Sequence, residues 1–532
     1  MTDAQDNAGI LSDILAAHRE RFFSGGQTPY EYIVCGSGSA GSVVAGRLSA
    51  DPAVRVLLIE AGGPDEGDAV MDVNRWPTVL GGPLDWAFQT DPNPRLNGRQ
   101  VLFSMGQVLG GGSSINVGTW SRGHVADWAY YEAAAANPSW SPKAVLDLYK
   151  PVEGWSGGSA DPERGVDGPV FIQPAQQPHP FFEALLASAE QLGLARYGNP
   201  NGAMMQADGG CAFLDEIVHD GRRQSIFRSY VYPYLDRPNL TVLSGAAVTR
   251  VVLEKTRAVA VELDIQGRRF RADAREEIVL SLGAIKTPQI LMLSGIGDAE
   301  HLRGFGVPVV QHLPGVGQNL QDHIALGCVF EASDAALPPE PRGQAVAFWK
   351  SRAELDAPNL FTYSHAGAFE TPENAARFPA PAKAWSLALG MRPQSTGSVR
   401  LAGPGAADRP RVDNGYLREP QDLDDMLAGL EMCREIGSAP AFRPFTKRPA
   451  FPGNRADAEQ YIRNGLGTFW HACGTARMGH DELSVVDGRL RVHGFDGLRV
   501  ADASIMPRVT TGNTMAPCVM IGEQAAAAIQ RR

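Results

Sequence analysis

At 532 residues the chain is longer than one compact core usually organises, so two domains, tandem or interleaved, are the expectation. Apolar residues make up 44 % and charged residues 20 %, the balance of a soluble globular enzyme, and no apolar run approaches the roughly 18 residues of a membrane-spanning helix. A net charge of −11 with no basic run to track phosphates excludes nucleic acid as the expected partner.

The first 29 residues carry Asp3, Asp6, Asp13 and Glu20 instead of the basic start and apolar block of a secretory leader. They predict a short amphipathic helix over 10–23. Next comes the β-rich run Tyr30-Glu-Tyr-Ile-Val-Cys35, then Gly36-Ser-Gly38-Ser-Ala-Gly41, a helical stretch over 42–50, and an apolar strand over 54–59 that ends at Glu60. Strand, glycine turn, helix, strand and acid, in that order, form a dinucleotide-binding fingerprint. Gly36 permits the tight turn, Gly38 lets backbone approach a pyrophosphate, and Gly41 lets the helix lie close on the sheet. The helix N-terminus offers free N–H groups to phosphate. Glu60, 19 residues after Gly41, can accept from both ribose hydroxyls and repels a 2′-phosphate. The fingerprint alone does not separate FAD from NAD.

A second glycine loop follows, Gly106-Gln-Val-Leu-Gly110-Gly-Gly-Ser113-Ser-Ile-Asn116, able to press backbone amides against a flat or anionic ligand. Further on, residues 239–243 and 247–253 predict successive strands. Gly283-Ala-Ile-Lys-Thr-Pro288 leads to Ser294-Gly-Ile-Gly297, and Pro314-Gly-Val-Gly-Gln-Asn-Leu-Gln-Asp322-His323 follows. The C-terminal region holds His471-Ala-Cys-Gly-Thr-Ala-Arg-Met-Gly479, Arg499-Val-Ala-Asp502 and Gly512-Asn513. In this order the five segments resemble the glucose–methanol–choline (GMC) oxidoreductases. The match runs from about Tyr30 to the end and weakens over 326–455.

That resemblance implies an α/β fold. A Rossmann-type FAD-binding domain (1–165, 215–325 and 456–532) would interleave with a substrate domain (166–214 and 326–455) built on an antiparallel sheet flanked by helices. It implies cofactor contacts at Gly36, Gly38, Ser39, Gly41, Glu60, Val108, Gly111, Ser113, Asn116, Val248, Asp502, Ala503, Asn513, Thr514 and Met515. Two departures matter. Gln107 stands where the family commonly has Arg or Lys. Ile115 stands where some members attach FAD through a His, so noncovalent FAD is expected.

Alcohol oxidation needs a base for the hydroxyl proton and a hydride acceptor about 3–3.5 Å from the carbon. The family's catalytic His matches His471, and its His-or-Asn partner matches Asn513. On residue type alone, a single His in a Gly-rich segment such as His471 is more often structural, and Asn513 reads as a turn or helix N-cap residue. Trp470 is a candidate pocket residue, with plain core packing as its rival reading, and Phe361, Tyr363 and Phe469 are further pocket candidates. His365 is a weaker pocket candidate, and His323 reads as structural.

The expected reaction is oxidation of a primary alcohol, aromatic or furanic, to the aldehyde. Hydride would pass to flavin N5 with His471 as base, and O2 would reoxidise the flavin to give H2O2. The alternatives are a dehydrogenase using a quinone or other acceptor, and a hydroxynitrile-lyase-type enzyme with non-redox FAD. Six scattered cysteines show no metal spacing, so no metal and a reducing, cytoplasmic location are expected.

Overall fold

The computed structural model describes residues 3–24, 28–158, 161–339 and 343–531. Its first large sheet orders the strands Leu240–Leu243, Val56–Ile59, Tyr30–Cys35, Arg268–Leu280, Arg257–Ile265 and Ala247–Glu254, with Leu498–Val500 also on Arg268–Leu280. The Tyr30–Cys35 strand lies parallel to Val56–Ile59 on one side and to the C-terminal half of Arg268–Leu280 on the other. Cys35 pairs with both Ile59 and Leu280, so three strands end level and open a crevice at their carboxyl ends. Strands with apolar residues on both faces are what a sheet covered on both sides requires. Ile33, Val34, Leu57, Leu58 and Val279 are all fully buried.

The helix after the first strand spans Ser39–Leu48, three residues earlier than its composition suggests, because Gly38 in extended geometry caps it. It packs on the C-terminal helix Met515–Gln530. At the crossing, a Cβ on Gly522 would stand 2.7 Å from both Val43 Cβ and the Ala40 carbonyl, so only glycine allows that approach. The N-terminal helix spans Asp3–Ser24, longer than expected, and buries Leu11, Leu15 and His18. The His18 imidazole joins the Leu235 carbonyl and the Val242 amide, tying this helix to the sheet edge.

The second large sheet is antiparallel: Thr446–Pro449, Ile324–Ala332, Ala384–Met391, Leu360–His365, Ala345–Trp349 and Gly210–Phe213, with Gly467–Thr468 added to the start of Ile324–Ala332. Helices Pro180–Gln191 and Pro420–Ser438 cover one face through Phe181, Leu185, Met426, Leu430 and Cys433. This is the α/β architecture, with an antiparallel substrate-side sheet, that the resemblance implies.

The two halves interlock more than the expected boundaries suggest. The strand Val170–Pro174, assigned to the substrate side, pairs with Glu153–Trp155 and with Asp215–Glu216, which in turn pairs with Thr119–Trp120. Beneath them Glu153 accepts from Trp120, Arg122 and Arg164, and Arg164 also meets Asp215, all fully buried or nearly so. Ile324–Ala332 itself straddles the expected 325/326 boundary.

Candidate active site

Between the two sheets lies a cavity of about 1190 Å3. One end is lined by Glu60, Val248 and Arg250, the middle by the two glycine loops, and the far end by Trp76, Tyr363, Phe469, Trp470, His471 and Asn513. That volume lies at or above the upper end of the roughly 300–1,000 Å3 typical of small-molecule sites, room for an elongated dinucleotide plus a small substrate.

The glycines show what shape the cavity expects. Gly36 has φ +98°, and a Cβ there would stand 2.2 Å from the Ser281 carbonyl; one on Gly41 would stand 1.9 Å from the Gly36 carbonyl. Both are required by the fold itself. Gly38 differs, since a Cβ on it would meet no protein atom within 4 Å. Its open side faces the cavity at the start of the Ser39–Leu48 helix, where unpaired amides suit a pyrophosphate. The second loop lies directly on the first, because a Cβ on Gly111 would come within 2.9 Å of Gly38 Cα. Together they make one backbone cradle.

Glu60 is buried and already bound: its oxygens accept from the Ser37 amide (3.0 Å), the Ser37 hydroxyl (2.7 Å) and the Gly62 amide (2.9 Å). Burial raises its pKa, and those donors oppose the shift. A carboxylate offers about four acceptor positions, so capacity remains for a ribose hydroxyl. Asp502 accepts from Ser504, Gly283 and Thr287, fixing the start of the helix Gly283–Leu293 beside the cavity. Asn116 is clamped by Arg223 and Gly118 through its oxygen and reaches Met515 Sδ through its nitrogen. These donors and glycines fit FAD. Among the described residues no cluster suited to a metal ion exists.

Of the expected cofactor residues, Gly36, Gly38, Ser39, Glu60, Gly111, Ser113, Asn116, Val248, Asp502, Ala503, Asn513, Thr514 and Met515 line the cavity. Gly41 lies behind it as a packing position. Val108 is not among the lining residues: its side chain is buried with Val79 and Ile115, while its neighbour Gln107 lines the cavity. Trp470 and Phe469 line the far end, but Phe361 does not. Phe469, at 5.1 Å between ring centroids, and His323, at 5.2 Å, pack against its ring within the wall.

The far end is organised around two histidines. His471 Nδ1 stands 2.9 Å from His323 Nδ1, and His471 Nε2 stands 3.3 Å from Asn513 Nδ2. The Tyr363 hydroxyl donates to Asn513 Oδ1 at 2.7 Å, which turns the amide nitrogen toward His471. An amide N–H can only donate, so His471 Nε2 is the unprotonated nitrogen and Nδ1 carries the proton toward His323. Burial holds His471 near a pKa of about 3 and His323 well below its usual value, so both rings are neutral.

The backbone is held just as firmly. Asp322 accepts from the His471 amide at 2.8 Å and from the hydroxyls of Thr468 and Tyr416, with burial pushing its carboxyl up to about 7. Thr468 in turn accepts from the Trp470 amide at 2.6 Å. That bond supports a left-handed Trp470 (φ +60°), whose indole meets Trp76 edge-on at 5.7 Å. Asn513 is fixed from the other side: buried Asp127 accepts from the Thr511 amide, Arg392 and Arg508. Sequence reasoning treated His323 as structural and did not single out Trp76 or Asp322. The Asp322-His323 dipeptide sat inside a recognised run, yet only the fold brings it to His471.

Family models described as GMC oxidoreductase match residues 30–325 and 393–522. An uncharacterized GMC-type oxidoreductase of Mycobacterium bovis is 37 % identical, covering 94 % of this chain and 99 % of its own. An oxygen-dependent choline dehydrogenase of Brucella anthropi is 34 % identical over 93 % of this chain and 94 % of its own. The crystal structure of pyridoxine 4-oxidase from Mesorbium loti superposes with a TM-score of 0.89 at 32 % identity, covering 94 % of this chain and 99 % of that one.

Proposed function

Because the chain belongs to the GMC oxidoreductases, a family of FAD-dependent enzymes, we propose that it oxidises a primary aromatic or furanic alcohol to the aldehyde with His471 as general base. The observation that carries this reading is the unprotonated Nε2 of His471, held beside the Asn513 amide in the wall of a cofactor-sized cavity. A carbinol oxygen inserted there donates its proton to Nε2 and accepts a hydrogen bond from Asn513 Nδ2. FAD held by the glycine cradle, Glu60 and Asn116 would supply the hydride acceptor, and O2, reduced to H2O2, is the proposed final oxidant.

As His471 takes up the proton, its Nδ1–H bond to His323 becomes charge-assisted and strengthens. That bond is tighter in the transition state than before it, which is the condition for accelerating the step. Neutral His323 is thus a positioning residue that also absorbs developing charge. Trp76, Phe469 and Trp470 give the end aromatic faces that suit a flat ring. A ring π system next to the carbinol also stabilises charge as hydride leaves. Similarity to a pyridoxine 4-oxidase and to an oxygen-dependent choline dehydrogenase supports O2 as acceptor. Noncovalent attachment is supported by Ile115 at the cavity wall, and by Cys518, whose thiol burial pushes up to about 12.

The test is anaerobic mixing of the purified enzyme with aryl, furanic, aliphatic and choline-type alcohols while flavin absorbance is followed, then admission of air. Bleaching by aryl or furanic alcohols and recovery with peroxide are expected. Recovery only with an added quinone would make the enzyme a dehydrogenase, and no bleaching by any alcohol overturns the reading. His471→Ala should keep its FAD and lose flavin reduction by about 10²-fold or more.

A further inference from the structure

One polar side chain at the substrate end takes no part in the chemistry above. His365 lies on the strand Leu360–His365, two residues beyond Tyr363, and both side chains line the cavity. Alternate strand residues share a face and stand about 6–7 Å apart. Tyr363 marks the reacting end, because its hydroxyl holds Asn513. His365 therefore sits about one aromatic ring farther along the same wall. Between and around them the wall is small or apolar: Ala388, which pairs with Tyr363 in register, Gly343 and Phe369.

The protonation of His365 follows from its surroundings. Nδ1 faces the Gly367 carbonyl at 3.5 Å, a long contact, but a carbonyl oxygen tolerates only an N–H there. Nδ1 therefore carries the proton and Nε2 keeps its lone pair. Burial lowers the ring's pKa, which leaves the imidazole neutral. Among the described residues Nε2 has no hydrogen-bond partner, and the residue lines the cavity.

We propose that His365 reads the far end of the substrate: its Nε2 accepts a hydrogen bond from a second hydroxyl on the ring, so the substrate class is a neutral hydroxylated aromatic alcohol. The assignment rests on the alcohol-oxidation reading and sharpens it. A site built to pair a hydroxyl discriminates strongly against the analogue lacking it, because the group left behind has lost its partner. One Nε2 acceptor also selects position, since only one ring isomer places its hydroxyl within reach while the carbinol meets His471.

The experiment compares kcat/KM for 2-, 3- and 4-hydroxybenzyl alcohol with that for benzyl alcohol, in the holoenzyme and in His365→Leu and His365→Gln. In the wild type one isomer should exceed benzyl alcohol by about tenfold or more. His365→Leu should bring that ratio close to one. His365→Gln, whose side-chain oxygen still accepts, should recover part of it. A ratio unchanged in His365→Leu overturns the assignment. Binding of the matching hydroxybenzaldehydes and benzaldehyde, read from the shift in flavin absorbance, tests it without turnover. If no alcohol reduces the flavin, the reaction reading fails. The His365 assignment then stands or falls on whether the hydroxylated aldehyde binds more tightly to the wild type than to His365→Leu.

Discussion

His471 can act as a base only while it is neutral, and its surroundings enforce that state. Burial holds its pKa near 3, below the value of about 6.5 it regains when unfolded. The folded value is the lower one, so the group's contribution to stability is complete above pH 6.5 and is lost as pH falls toward 3. His471→Asn removes that contribution. Denaturant unfolding of the holoenzymes should therefore show the wild type losing about 1.5 kcal/mol more than the variant between pH 6.5 and 5. Equal losses would mean His471 is not held neutral. The reading of individual site residues was uneven for a physical reason. His471 and Asn513 stand in local motifs and were legible. His323 lies 148 residues from His471 and Tyr363 lies 150 from Asn513, and no local pattern records such pairings. Trp470 is similar. Its left-handed backbone, a strain of about 1–2 kcal/mol, is invisible in residue type and is sustained by Thr468 and Asp322.

At the scale of elements, the glycine turn separates two uses of the same residue. Gly36→Ala drives a methyl group into the Ser281 carbonyl at a positive φ, so this variant should fail to give folded protein. The Cβ of Gly38→Val would meet no protein atom within 4 Å, so this variant should fold, with native far-UV circular dichroism, yet purify without flavin. Stoichiometric FAD in Gly38→Val would remove the pyrophosphate from this turn. The first strand, turn, second strand and Glu60 were readable because each rests on short-range pattern. The helix start was not, since Ser39-Ala40-Gly41 are poor local signals and the helix forms there through packing on Met515–Gln530. Val108 and Phe361 lie off the cavity lining for a related reason. A loop position adjacent to a contact, or a strand residue on the correct face, still depends on whether another ring lies over it, as Phe469 and His323 do over Phe361.

For the whole molecule, the alternation of segments between the two sheets was legible only through the resemblance. The exchange of short strands between 153–174 and 215–216 was not legible at all. Those exchanges matter because both large sheets contribute to one cavity: Gly36 and Val248 from the first, Tyr363 and His365 from the second. A ligand filling the cavity therefore braces both sheets at once. FAD held noncovalently, as proposed, would stabilise by mass action, about 2.7 kcal/mol when free FAD reaches 100 times its dissociation constant. Protein stripped of flavin should accordingly melt earlier than the holoenzyme, and its Tm should rise with added FAD in proportion to the logarithm of concentration. Acid precipitation should leave the yellow colour in the supernatant. Flavin retained in the acid pellet, with a Tm indifferent to added FAD, would mean a covalent bond that Ile115 cannot make and would direct the search to another wall residue.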